Sequence, residues 1–212
     1  MKKLILLIFL AFNAQSELVL EITKSSNDPY KIAIHDFLGA KDIAPLIESI
    51  VKADLIRTGE FDVLGSEDLL SDIKNNELIN YKGYRLLGVD FILIGKVINE
   101  GDSSLTVEYA IHDASKEKKI RSSKVYGIPN KTRQLAHYVS DGIYEEITDL
   151  PGVASTKMLY VSEDDQNSSQ IFRLMMSDSD GMNEQVLLRS NKPIISPTWS
   201  PDSKSVAYVS FE

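Results

Sequence analysis

The pentad Met158-Leu159-Tyr160-Val161-Ser162 returns as Val206-Ala207-Tyr208-Val209-Ser210, 48 residues further on. Like strands spaced by about 40 to 50 residues are the sequence mark of propeller blades. A blade is a twisted sheet that cannot bury its own faces, and roughly four to eight of them must close around an axis. Between the two pentads lie IFRLMMS (Ile171 to Ser177) and EQVLLR (Glu184 to Arg189), short strands bounded by polar turns. The chain is therefore expected to hold one blade and the first strand of the next. The apolar faces around Met158, Phe172, Leu187 and Trp199 should then lack a packing neighbour. On this reading the sequence is the amino-terminal portion of a chain about twice as long.

Upstream of Pro151-Gly152 the periodicity is different. KIAIHDF (Lys31 to Phe37) reads as a strand, and Lys41 to Thr58 places Ile43, Leu46, Ile47, Ile50 and Val51 at helical spacing. Asp42 is the expected cap, Glu48 and Lys52 form an i,i+4 pair, and Gly59 is the stop. FDVL (Phe61 to Leu64) follows as a strand, and Ser66-Glu67-Asp68 opens a short helix. The near-continuous apolar run DFILIGKVI (Asp90 to Ile98) predicts a strand covered on both faces. Leu105 to His112 and Ile120 to Ile128 supply two more strands. A long helix is predicted from Lys131 to Asp149, with Leu135, Tyr138, Val139, Gly142, Ile143 and Ile147 on its apolar face. The fold class is thus an α+β (α/β-type) amino-terminal domain followed by the start of an all-β propeller.

The first residues stand apart from both units. Lys2 and Lys3 precede the apolar run Leu4 to Phe12, and NAQS follows it. That is the tripartite form of a secretory signal peptide, and a membrane span would need about 20 apolar residues. Cleavage is expected between Ser16 and Glu17. Without the two lysines the mature chain carries 21 basic and 31 acidic residues, a net charge of −10, which disfavours nucleic acid as a partner. There is no cysteine, so neither disulfides nor thiolate metal sites are available. Residues 17–28 begin as the alternating strand ELVLEITK and dissolve into SSNDP, a short strand on a tether. The expected organisation is a signal peptide at 1–16, an extended segment at 17–28, the α/β domain at 29–152 and propeller strands at 153–212.

No catalytic constellation is expected. His35, His112 and His137 are scattered singly without metal-ligand spacing, and the adjacency of His137, Ser140 and Asp141 on one predicted helix carries little weight, because triads are assembled across a fold. Asp178, Asp180 and Gly181 suggest a calcium loop, but Met176 and Leu187 occupy its first and last ligand positions, so a hairpin turn is the better reading. No cofactor and no metal are expected. The alternative is the propeller-bearing part of a secreted prolyl-oligopeptidase-type serine peptidase, whose hydrolase domain would carry a G-x-S-x-G elbow. No such motif occurs in these 212 residues.

The stretch PTWSPDSKSVAYVS (Pro197 to Ser210), with Pro197, Trp199, Ser200, Pro201 and Asp202 at its head, resembles the P-x-W-S-P-D-G-x-x-I-A-F-x-S repeat of TolB-type propellers. Ser203 stands where that pattern has Gly. SDSDGMNEQVLL (Ser177 to Leu188) is similar to a hairpin of the same family, and IVKADLIRTGEFDVL (Ile50 to Leu64) and LGVDFILIGKV (Leu87 to Val97) resemble its amino-terminal domain. The resemblance implies a non-enzymatic periplasmic scaffold of the Tol-Pal system, with TolA and the lipoprotein Pal as partners. Other outer-membrane or peptidoglycan-associated proteins are further candidates. It also implies that TolA is engaged by Glu17, Leu18, Val19, Leu20, Glu21, Ile22, Thr23, Lys24, Ser25, Ser26, Asn27 and Asp28. A tethered alternating strand of this kind can add to an exposed sheet edge.

Overall fold

The computed structural model describes residues 28–69, 79–166 and 169–211. The signal-peptide reading, the cleavage between Ser16 and Glu17, and all of the extended segment except Asp28 lie outside the described residues. Asp28 itself is exposed.

Strand β1 (Tyr30–Ile34) sits between β3 (Phe61–Leu64) and β4 (Phe91–Asn99), parallel to both. The line of β1 then breaks and resumes as β2 (Leu38–Gly39), which also pairs with β4. The predicted strand therefore ends early. The interruption lets the Phe37 ring lie over Gly95, where an added Cβ would fall 2.5 Å from the ring. Strands β5 (Leu105–Asp113) and β6 (Lys118–Gly127) complete the sheet as antiparallel neighbours, in the order β3-β1-β4-β5-β6.

Both faces of this sheet are covered. Ile32, Ile34, Leu93, Val97 and the inward residues of β5 pack beneath helices α1 (Ala44–Thr58) and α3 (Thr132–Thr148). Ala33 and Ile92, one residue out of phase, meet Tyr84 of the short helix α2 (Tyr81–Leu86) on the opposite face. This is the arrangement that the apolar run of β4 predicted, since successive residues must satisfy opposite faces. Edge strand β6 differs from β4 and has no fully buried side chain.

Helix α1 begins at Ala44 with Ile43 as its cap residue and no side-chain cap, so Asp42 does not play the expected role. Pro45 in the first turn pre-sets the backbone instead. Glu48 and Lys52 pair at 2.8 Å, and Gly59 ends the helix in the left-handed region at φ 74°.

Among the described residues beyond Pro151, strands are the only regular elements. β7 (Lys157–Gln166), β8 (Ser169–Asp178) and β9 (Gln185–Ser190) make an antiparallel sheet, and β10 (Ile194–Trp199) pairs with β11 (Val206–Ser210). Phe172, expected to be without a neighbour, is buried with Leu174 and Ile194. Met158 and Leu187 are each 42% exposed, as anticipated.

Candidate functional site

Helix α3 turns a polar surface inward. Its buried residues are Leu135, Ala136, His137, Val139, Ser140 and Ile143, whereas Tyr138, predicted on the apolar face, is 46% exposed. The face is rotated because α3 packs on α1 and also receives the β8–β9 hairpin. His137 and Ser140, one turn apart, both point at Asp54 of α1. Asp54 sits on the same stripe as Ile47, Ile50, Val51 and Leu55 and is only 2% exposed.

Every polar atom of Asp54 is used. Oδ2 accepts from His137 Nδ1 and from Ser140 Oγ, both at 2.7 Å, and Oδ1 accepts from Arg57 at 2.9 Å. Burial opposes the charge on Asp54, but the hydrogen bonds from His137 and Ser140 prevail and hold the carboxyl below the usual range. A buried carboxylate is tolerable only with such complete pairing. Because Asp54 accepts from Nδ1, that nitrogen carries the proton in the neutral ring, and Nε2 looks the other way.

Nε2 faces the hairpin. Asp178, the last residue of β8, lies 4.0 Å from it, and Asp180 of the following turn lies 3.9 Å away. Arg133, one turn before His137 on α3, pairs with Asp180, and Lys157 of β7 pairs with Asp178. Asn183 donates to the same Asp178 carboxylate. Burial pushes Asp178 up, but hydrogen bonds from Lys157 and Asn183 outweigh it, so its carboxyl is held down. Asp178 and Asp180 are turned toward α3, so that one oxygen of each and His137 Nε2 lie within 4.8 Å of one another, while Lys157 and Arg133 pair with the same two carboxylates. Ser140 and His137 share one carboxylate, so the histidine is not positioned as a base on the serine.

A second set of contacts pins the connection. Asp141 of α3 accepts from the backbone amides of Ala154 (2.7 Å) and Ser155 (3.0 Å), and Ser179 donates to the Ala154 carbonyl. At Gly152 a Cβ would lie 2.5 Å from the Asp141 Cα, so only glycine allows the link to lie this close to α3. A cavity of about 300 Å³ remains beside this link, lined by Leu55, Tyr144, Pro151 and Val153 together with Asp54 and Arg57.

The repeat-motif residues form a tight hairpin between β10 and β11. Ser200 Oγ donates to Asp202 at 2.6 Å and accepts from the Ser205 amide at 2.9 Å, and the Ser203 amide closes on the Ser200 carbonyl. Trp199 ends β10 and is half-buried, with Pro197 two residues before it. The remaining histidines pair with tyrosines on α2, His35 with Tyr84 and His112 with Tyr81. Asp54, Arg133, Asp178 and Asp180 were not singled out as partners of His137 by sequence. A charged residue in the apolar stripe of α1, and a His/Ser pair in that of α3, were the available signals.

A mixed α/β unit whose last helix anchors the first strands of a propeller defines the class of propeller-bearing α/β proteins. Residues 18–120 match the family described as the TolB amino-terminal domain, and residues 144–212 match the TolB beta propeller domain. The Tol-Pal system protein TolB of Alcanivorax borkumensis is 38% identical over 200 residues, covering 94% of this chain and 46% of the relative. The Bordetella avium protein of the same description is 35% identical over 213 residues, covering 98% and 47%. The crystal structure of TolB from Acinetobacter baumannii superposes with a TM-score of 0.77 at 31% identity, over 87% of this chain and 45% of that one. The chain belongs to the TolB family, and it spans about half the length of the curated relatives it matches. Among the described residues no helix is long and apolar enough to cross a membrane.

Proposed function

We propose that this chain is a non-enzymatic periplasmic scaffold of the Tol-Pal system that links TolA to Pal, in support of outer-membrane integrity and constriction at division. The observation that carries this reading is the order of the matches, amino-terminal domain over 18–120 and propeller over 144–212, in relatives named for that system. The division into 1–16, 17–28, 29–152 and 153–212 belongs to the same proposal. In it, residues 17–28 engage TolA by strand addition, and propeller loops meet Pal.

The test is calorimetric titration of the periplasmic domain of TolA, and separately of soluble Pal, into the chain beginning at Glu17 and into the same chain beginning at Pro29. TolA binding that disappears with residues 17–28 is the expected result. Equal TolA binding by both chains would reject that segment as the contact, and failure of the longer chain to bind either protein would reject the Tol-Pal reading. The intact mass of the exported protein, with Glu17 as its first residue, checks the cleavage and the compartment.

A further inference from the structure

We propose that His137, Asp178 and Asp180 form a binding site for one divalent transition-metal ion of the zinc class, which fastens the β8–β9 hairpin to helix α3. One ligand atom from each of the three, the ring Nε2 and one oxygen of each carboxylate, lies within 4.8 Å of the other two. Among the described residues only two buried side-chain nitrogens or oxygens lack a hydrogen-bond partner, His137 Nε2 and Arg133 Nε, and both face this cluster. His137 is 2% exposed. A buried polar atom without a partner is costly, so a lone pair aimed at two carboxylates calls for a group that binds all three at once.

The ring is already held as a metal ligand is held. Its Nδ1–H donates to Asp54 at 2.7 Å, which leaves the Nε2 lone pair directed at the hairpin. A carboxylate behind the ring is the usual outer partner of a metal-binding histidine, because it fixes the tautomer and raises the basicity of the other nitrogen. Ser140 donates to the same Asp54 oxygen at 2.7 Å and so steadies that partner. Nε2 lies 4.0 Å from Asp178 Oδ2 and 3.9 Å from Asp180 Oδ2. Zinc bonds of about 2.0–2.2 Å in tetrahedral array place ligand atoms about 3.4 Å apart, so each carboxylate has to close by about half an ångström. One imidazole with two carboxylates suits zinc, whereas calcium takes about six to eight oxygens. The ion is thus different in kind from that of a calcium loop, and its ligands come from a helix and a distant hairpin rather than from one stretch of sequence.

Two cations already touch these carboxylates, and their placement differs. Lys157 pairs with Asp178 through Oδ1 and leaves Oδ2 to the ion. Arg133 pairs with Asp180 through Oδ2 itself, so it is the group that must give way. Its side chain is 24% exposed and its Nε has no hydrogen bond, which leaves it a path to solvent and one fewer contact to lose. The site does not depend on which partners the protein binds.

The experiment is calorimetric titration of ZnCl₂ into the full chain after chelator treatment, with amide exchange of the hairpin followed in parallel. The expected result is one zinc per chain at micromolar concentration, with slower exchange at Asp178 and Gly181 and no change in β4 and β5. His137→Gln should weaken binding by more than about a hundredfold, beyond the loss caused by removing an outer partner. Should that variant fail to fold, Asp180→Asn should also abolish the slowing of hairpin exchange. Arg133→Gln should tighten binding by about tenfold, because the ion no longer displaces a charge-assisted hydrogen bond. His112→Gln, outside the site, should bind zinc as the unaltered chain does. Absence of saturable binding would overturn the proposal, as would zinc held equally well by the His137 and Asp180 variants, or zinc that leaves hairpin exchange unchanged. Loss of binding in His112→Gln would overturn it too, by placing the ion elsewhere.

Discussion

Leu93 of β4 and Leu174 of β8 are both mid-strand leucines with almost no exposure, 0% and 2%, yet they belong to cores of different kinds. Leu93 joins a cluster of nineteen buried residues drawn from four strands, two helices and Phe37 in the break after β1. Leu174 shares its cluster with only two other buried residues, Phe172 and Ile194, while Val186, Leu187, Ile195, Tyr208 and Val209 of the neighbouring strands are exposed. The α/β unit can cover both faces of its sheet because helices pack on each side. The β7–β11 strands are held by hairpin hydrogen bonds and by polar contacts at one end, where Asp178, Asp180 and the link meet α3. A blade-like sheet has no helix of its own to cover it, so its order comes from what it is fastened to.

The sharpest way to break this comparison is to make the same cavity in both cores. Leu93→Ala should cost about 3–4 kcal/mol of global stability in guanidinium unfolding, within the usual range for a large-to-small change in a dry core. Leu174→Ala should leave that main transition in place and instead speed proteolysis of β7–β9. If both variants lower the main transition equally, the two regions form one cooperative unit and the contrast fails.

Next comes the fastening. Asp54→Ala strips His137, Ser140 and Arg57 of their shared acceptor and should cost about 3 kcal/mol, since breaking a buried ionic network leaves its partners uncompensated. The same loss can be approached by acid. The Asp54 carboxyl is held below 3.8 in the folded chain, so its contribution is complete above that value and disappears as pH falls through the lowered one. Limited proteolysis should show residues 153–183 released in Asp54→Ala before the α/β sheet is cut.

An effect of about 2 kcal/mol is expected at Asp113, which belongs to the α/β unit alone. Its carboxylate accepts from Ser115 Oγ (2.6 Å) and the Lys116 amide (2.8 Å) and pairs with Lys116 Nζ (2.7 Å) at the β5–β6 turn. Burial works against the charge, but these bonds bring the carboxyl down to about 2. Its stabilisation is therefore present above pH 3.8 and lost as pH falls toward 2. Asp113→Asn should remove that acid sensitivity from the unfolding of the sheet without releasing the β8–β9 hairpin.

The same contrast explains what could be read from the residues alone. Periodicity found five strands of the sheet and both long helices, missing only the two-residue β2, because each of those elements answers to a local apolar pattern. It missed the inward turn of His137 and Ser140, since their burial is imposed by a hairpin 40 residues further on and by Asp54, far upstream. The cap expected at Asp42 yielded to Pro45 in the first turn, and the break after Ile34 follows from Phe37 packing over Gly95, a contact with no sequence period. In the propeller strands the 48-residue self-match placed β7 and β11 correctly, and Ser203 was already marked as departing from glycine.

That departure gives the smallest prediction. Ser203 adopts φ 56°, a left-handed conformation that costs a side-chain-bearing residue about 1–2 kcal/mol and glycine almost nothing. Glycine also loses more freedom on folding, by about 0.5–1 kcal/mol, so Ser203→Gly should gain about 0.5 kcal/mol net. The gain should appear as slower amide exchange at Ser205, whose N–H bonds to Ser200 across the turn, and nowhere in the α/β sheet. A hairpin fastened only through local turn chemistry would behave this way. A change that spread to β4 would mean that strands with few buried side chains still stabilise the unit they rest on.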